Sequence, residues 1–288
     1  MKVLCKVLVC FSIRFTPIIS RLSKLVPFLF IIFLNKEVIA QPSQPTLPQY
    51  SLGICGGPNL TYATYGNRET QKHFKPGVRV GYTVGAFIKM PMKDQFSFIT
   101  EVSFSQKARS TNFNENWNNK TVYRLVGANM ALRKSFPIKL KNNVPVNIFV
   151  GAGPNIEYLL NAHGRIKVTP GGIARYDVVF NGTPDSDFRY DYYNDANRWL
   201  FGLDLRAGGD APLLRNQRVY VEVRFTWGQT YLGGKNSSSY LEILGYEDDL
   251  KFNMKTLNLV AYYAFDFDMK KSRMGKSTKD KEVKRRRR

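Results

Sequence analysis

Three cysteines and two histidines are all that the 288 residues offer of the side chains most often used to hold metals or shuttle protons. Cys5 and Cys10 fall in a leading segment that reads as removable, which leaves only Cys55 and rules out an internal disulfide in the remaining chain. A cysteine-rich zinc site and a site built of several histidines are excluded as well. Acids are scarce too, 22 Asp and Glu against 43 Lys and Arg. The chain also lacks a run suited to a membrane helix: Leu25 to Leu34 is apolar but contains Pro27, and about 20 residues are needed to span.

What is present is alternation. In Val219-Tyr220-Val221-Glu222-Val223-Arg224-Phe225-Thr226-Trp227 every odd position is apolar, and every even one except Tyr220 is charged or hydroxylic. Successive strand side chains point to opposite faces, so this segment has one greasy face and one wet face. The pattern recurs in Leu257 to Phe267, Phe98 to Phe104 and Trp199 to Ala207. Repeated period-two segments separated by turn residues are the mark of a transmembrane β-barrel. A soluble sandwich or lipocalin-like barrel alternates as well, and the wet face separates the readings. That face holds Glu101, Glu157, Asp204, Arg206, Glu222 and Arg224, interspersed with Gly53, Gly57, Gly81, Gly85, Gly151, Gly153, Gly202 and Gly208. Charges of both signs among small residues suit the narrow interior of an eight-stranded barrel. The greasy face carries Tyr82, Tyr158, Trp199, Trp227, Tyr263, Phe265 and Phe267, as interfacial girdles require.

The formal charge of +21 is concentrated at the ends. Residues 1–40 hold six bases and one acid, and Val38-Ile39-Ala40 offers small residues for cleavage, so this segment reads as a signal peptide. Residues 41–49 form a proline-rich linker. Residues 270–288 hold eleven bases and two acids with almost nothing apolar, ending in Lys284-Arg285-Arg286-Arg287-Arg288. Such a segment is expected to be disordered, either as a solubilising tail or as an electrostatic arm for an anionic partner. Nucleic acid is a poor candidate partner, because export removes the protein from it and no binding motif is present.

Between linker and tail, residues 50–269 read as one barrel with strands at about 50–60, 79–90, 96–107, 121–133, 146–160, 198–209, 218–229 and 254–268. In the fourth, Tyr123, Leu125 and Ala131 compete with Val122, Val126, Met130 and Leu132 for the lipid face. Links 91–95, 134–145 and 210–217 are shorter than 61–78, 108–120, 161–197 and 230–253, as expected where short periplasmic turns alternate with longer outer loops. An internal echo, Gly57-Pro58-Asn59 and Gly153-Pro154-Asn155, is expected at rim or bulge positions, because proline cannot donate to a ladder.

The Ala40-Gln41 junction, the opening strand Ser51-Leu52-Gly53-Ile54-Cys55-Gly56-Gly57-Pro58-Asn59-Leu60 and the later Ser103-Phe104-Ser105-Gln106-Lys107-Ala108 resemble the small outer-membrane β-barrel proteins of Bacteroidota, labelled porin-family or PorT-like. The resemblance covers roughly residues 50–268. Tyr263-Ala264-Phe265-Asp266-Phe267 is similar to the aromatic final strand that barrel-assembly machinery recognises, although here a basic tail follows it. Some members serve type IX secretion and gliding, so the resemblance implies that role as a candidate.

Little points to catalysis. His163, near Asn161, is the one histidine that invites a catalytic reading, and no nucleophile motif accompanies it. Asp185, Asp187, Asp191, Asp195, Glu247, Asp248 and Asp249 cluster in outer loops without the spacing of a calcium loop. The expectation is an all-β, eight-stranded, antiparallel up-and-down transmembrane barrel in the outer membrane, non-enzymatic and without a cofactor. Its partners would be membrane lipid and a cell-envelope protein met by the tail; a small-solute channel or receptor is the alternative.

Overall fold

The computed structural model describes residues 50–113, 116–139, 145–169, 171–177, 190–191, 196–214, 216–233 and 251–267. The expected signal segment, linker and basic tail, with Lys284 to Arg288, lie outside the described residues. So do most of the acidic loop positions.

Eleven strands and one helix occupy the described residues: β1 (Tyr50–Tyr65), α1 (Arg68–Phe74), β2 (Pro76–Gly77), β3 (Arg79–Pro91), β4 (Phe96–Phe113), β5 (Trp117–Lys139), β6 (Pro145–Val168), β7 (Ile173–Asp177), β8 (Tyr190–Asp191), β9 (Trp199–Leu214), β10 (Gln217–Gly228) and β11 (Phe252–Phe267). Eight of them form the wall, in the order β1, β3, β4, β5, β6, β9, β10, β11, every neighbouring pair antiparallel. The ring closes where β11 pairs with β1, from Tyr50 opposite Phe267 to Tyr65 opposite Phe252. Closure follows from the solvent: hydrocarbon offers no partner to an unpaired strand edge.

The greasy face points outward. Leu52, Ile54, Val84, Val102, Met130, Leu132, Val150, Phe201, Leu205, Val221 and Val223 are exposed, while their alternates are buried in the lumen. Tyr82 and Phe104 pair at 6.2 Å and Tyr158 and Trp199 at 4.9 Å on one rim; Tyr50 and Phe267 stack at 5.9 Å on the other. These are the two aromatic girdles. The rim joined by the short links at 92–95, 140–144 and 215–216 is the periplasmic one by the same rule. The first of these links closes on Asp94 and Gln95, both at positive φ, with the Phe96 amide donating to the Lys93 carbonyl at 3.1 Å. Two consecutive left-handed residues match the twist of the strands they join.

Two expectations are corrected, and one open facing is settled. The link at 108–120 is no long loop: β4 runs to Phe113 and β5 starts at Trp117, with Ser110 opposite Lys120. Its polar residues read as loop, yet above the membrane a strand can be polar on its outer face. The fourth strand settles with Val126, Met130 and Leu132 outward and Tyr123, Leu125 and Ala131 inward. Tyr123 and Leu125 resemble lipid-facing residues because the upper lumen has an apolar core of its own, and Ala131 joins a second buried apolar cluster.

The Gly-Pro-Asn echo sits in mid-strand, not at the rim. Each proline pairs normally on one side, Pro58 with Tyr82 and Pro154 with Leu203. On the other side the ladder skips it, between Gly56 and Asn59 against β11 and between Ala152 and Asn155 against β5. The strands close up at the adjacent glycines. A Cβ on Gly57 would lie 1.9 Å from the Leu259 carbonyl oxygen, and one on Gly153 would lie 1.8 Å from that of Met130.

Candidate functional site

The lumen is filled in layers, and each layer follows from inward positions on several strands. At mid-height Arg224 grips Glu101 with both amino groups, Nη1 to Oε1 at 3.0 Å and Nη2 to Oε2 at 2.6 Å, while its Nε donates to Glu222 Oε1 at 3.0 Å. Arg133 donates to Glu222 Oε2. Arg206 donates through Nη2 to Asp204 Oδ2 and to Asn129 Oδ1, both at 2.9 Å, and its Nη1 lies 3.7 Å from both Glu101 and Glu222. The Tyr262 hydroxyl sits 3.1 Å from each of those two glutamates. Thr226 completes the set by donating to Asp204 at 2.7 Å. Three carboxylates therefore meet three guanidinium groups, and the layer is neutral although its members are buried. Buried charges persist only when paired and hydrogen-bonded in this way.

Of the six interior residues expected from the sequence, five meet here: Glu101, Asp204, Arg206, Glu222 and Arg224. The sixth, Glu157, faces the lumen but pairs apart from them, with Lys107 at 2.6 Å. Arg133, Tyr262 and Asn129 were missed. Following period two inward along β5 from Tyr123 reaches Asn129 and Arg133, a route that the ambiguous facing of that strand obscured.

Below this layer Arg218 links Asp210 and Asp266, and Ser51 donates to Asp266 at 2.6 Å. Tyr220, the exception to the alternation of its segment, points inward, its hydroxyl 3.3 Å from Ser51 and 3.5 Å from Lys89 Nζ. Above it, Tyr65, Phe74, Tyr123, Leu125, Leu159, Ile166, Leu232 and Phe252 form an apolar cap. Helix α1 carries Phe74 into this cap: Asn67 accepts from the Glu69 amide at 3.0 Å to start the helix, left-handed Lys75 ends it, and Phe74 stacks on Tyr65 at 5.3 Å. Between charged layer and cap, a pocket beside Lys107, Asn155, Glu157 and Met254 has room for about one or two waters, far below the space an organic ligand needs.

Among the described residues His163 meets no nucleophile. It lies on β6 with its Nδ1 2.5 Å from Asp177 of β7, and both residues are about half exposed. His73 is on α1 and packs edge-on against Phe74. No three potential metal ligands gather among the described residues.

The outer rim is uneven. Strands β5 and β6 rise together past the aromatic girdle to Trp117 and Val168, and β7 extends the raised wall sideways. On its outer face Lys120 stands opposite Arg165, and Arg165 opposite Arg175. The like charge of Arg79, then partial desolvation, then the like charges of Arg165 and Lys167 hold the Lys120 ammonium below the usual lysine pKa.

Residues 39–230, more than half of the chain, match the family model described as outer membrane protein beta-barrel domain. The chain belongs to this family. No match was found among curated proteins. Among solved structures the barrel is similar to OprG from Pseudomonas aeruginosa, at 11% identity and a TM-score of 0.42 over 76% of this chain and 97% of that one. Neisserial surface protein A matches at 12% identity and a TM-score of 0.36, over 76% of this chain and 97% of that one. Ail of Yersinia pestis matches at 13% and 0.33, over 76% and 100%. The barrel protein is thus an outer-membrane protein whose wall sits in lipid.

Proposed function

We propose that the protein is a closed, non-enzymatic membrane scaffold, a structural or adaptor element of the cell envelope that works through its surfaces and not through its lumen. The observation that carries this reading is the neutral ion-pair layer, Glu101, Asp204 and Glu222 against Arg133, Arg206 and Arg224, which fills the barrel at mid-height. An eight-stranded barrel is barely wider than its own side chains, and here charged pairs under an apolar cap occupy the space solutes would need.

In this reading residues 1–40 are a signal peptide, and the basic tail with Lys284, Arg285, Arg286, Arg287 and Arg288 is a periplasmic arm for an anionic envelope protein. The resemblance of Ser51 to Leu60 and Ser103 to Ala108 to PorT-like proteins of Bacteroidota supports a finer form, service in a type IX secretion or gliding assembly.

Single-channel recording of purified protein in planar bilayers tests the scaffold reading. The expected trace has no stable open level in potassium chloride. Reproducible conductance steps would overturn it in favour of a small-solute channel.

A further inference from the structure

The outer face of the raised wall carries a charge pattern that strand packing does not call for. Lys120 of β5, Arg165 of β6 and Arg175 of β7 stand directly opposite one another in one row. Like charges facing across neighbouring strands are destabilising. Lys167 lies two residues beyond Arg165 on the same face. Arg79 brings a further cation to the β5 end, its Nη2 donating at 3.2 Å to Ser110, the residue opposite Lys120 on β4. Among the described residues no carboxylate pairs with the row: Asp177, two residues from Arg175, is held by His163 at 2.5 Å.

Height excludes the lipid headgroups as the balancing anions. Tyr158, in the outer aromatic girdle, and Arg165 are seven positions apart on β6, and Leu160 between them is extra at a bulge, since Leu159 and Asn161 face the consecutive residues Leu125 and Arg124. At about 3.3 Å per residue and a tilt of 35–45°, Arg165 stands roughly 15 Å above the girdle. The polar layer beyond the hydrocarbon is about 5–8 Å deep, so the row clears it and faces the water outside.

The size and composition of the face identify the occupant. Strands β5, β6 and β7 offer a strip of three strands by the five residues of β7, on the order of 200 Å². A specific protein partner needs about 800 Å² on each side and large anchors at its centre. Ile173 is the one large apolar side chain exposed on this strip among the described residues. Without an exposed ring to stack on, single-stranded nucleic acid is poorly served as well. Cations spaced in a line at about 4.8 Å per strand suit a thin polymer that carries an anion on each repeat. Arginine forks take planar carboxylates two-pronged.

We propose that Lys120, Arg165 and Arg175, flanked by Lys167 and Arg79, bind a linear acidic polysaccharide through the carboxylates of successive uronic-acid units. The polymer lies across the three strands, beyond the lipid surface, and neutralises the row. The site is independent of the lumen, so it stands or falls apart from the scaffold reading.

The test uses the full chain, folded in neutral detergent, with a fluorophore on Gly172→Cys in a Cys55→Ala background. Gly172 lies between β6 and β7, so the label reports binding at the raised wall; the basic tail follows Phe267 at the opposite rim. The probes are polygalacturonate, its uncharged methyl ester, dextran sulfate and duplex DNA, all at physiological ionic strength. The expected result is a saturable response to polygalacturonate and none to the ester. The triple variant Lys120→Ser/Arg165→Ser/Arg175→Ser should weaken binding by about tenfold or more. Lys72→Ser/Lys75→Ser, on exposed positions of α1 and its cap outside the row, should change nothing. A heat-shift gel confirms that each variant is folded. No response to polygalacturonate, an equal response to the ester, or unchanged binding by the folded triple variant would overturn the proposal. So would tighter binding of dextran sulfate or of duplex DNA at matched charge, which would assign the row to a sulfated chain or to nucleic acid.

Discussion

Arg224 of β10 and Glu101 of β4 close on each other across the lumen in a two-pronged ion pair, although 123 positions separate them in the chain. Neither is paired alone, since Arg224 also holds Glu222 and Arg206 approaches both glutamates. Glu101→Gln leaves a buried positive charge and is expected to destabilise the barrel by about 3–5 kcal/mol. Glu101→Gln with Arg224→Gln restores neutrality and should cost clearly less than the sum of the two single changes. Denaturant unfolding from lipid vesicles measures all three; strict additivity would show that the layer is not coupled.

The facing of the wall predicts an asymmetry between neighbouring parities. Val221 is exposed to lipid, so Val221→Arg should cost about 2–4 kcal/mol near the midplane. Ser103 is buried on the lumen side, and Ser103→Ala should be mild. The fraction that migrates as folded barrel on an unboiled detergent gel reads both.

The Gly-Pro-Asn echo makes a sharper demand on the chain. Gly57→Val and Gly153→Val would drive a side chain into the carbonyl of the adjoining strand, and both are expected to block assembly. Pro58→Ala restores a donor beside β11 and should be tolerated. The same gel assay decides it: normal folding of the valine variants would mean that the strands can part there.

Orientation is open to labelling. With Cys55→Ala as background, a cysteine at Gly172, where an added Cβ meets no atom within 4 Å, should react with an impermeant maleimide on intact cells. A cysteine at Lys93, in the turn between β3 and β4, should react only after the outer membrane is opened. The reverse result would invert the barrel.

Truncation after Met269 removes eleven bases and two acids while sparing Phe265 and Phe267 of the closing strand. Barrel assembly should be preserved, and salt-sensitive capture of an anionic periplasmic partner should be lost, since such a field extends about 8–10 Å at physiological ionic strength. Co-purification of the same partners with full-length and truncated protein would remove the tail from the proposed function.

How much of this was legible in order along the chain follows from the range of each interaction. Period-two alternation is local, and it suffices to determine that Val219 to Trp227 and Leu257 to Phe267 are strands with one face for lipid and one for the lumen. Counting such segments, with an even number and no tolerable open edge, determines the closed eight-stranded wall. Glu101, Glu157, Asp204, Arg206, Glu222 and Arg224 all face the lumen, as charge on a strand face opposite lipid has nowhere else to go. The partner of each charge was decided only by the tertiary structure, since register, barrel tilt and closure bring β4, β5, β9 and β10 to one level of the lumen. The same folding placed Glu157 with Lys107 instead of with the others, drew Arg133 and Tyr262 into the layer, and moved Gly57-Pro58 and Gly153-Pro154 from the expected rim to mid-wall. The cationic row of the raised wall was decided in the same way, because Lys120, Arg165 and Arg175 become neighbours only when three strands pair in register.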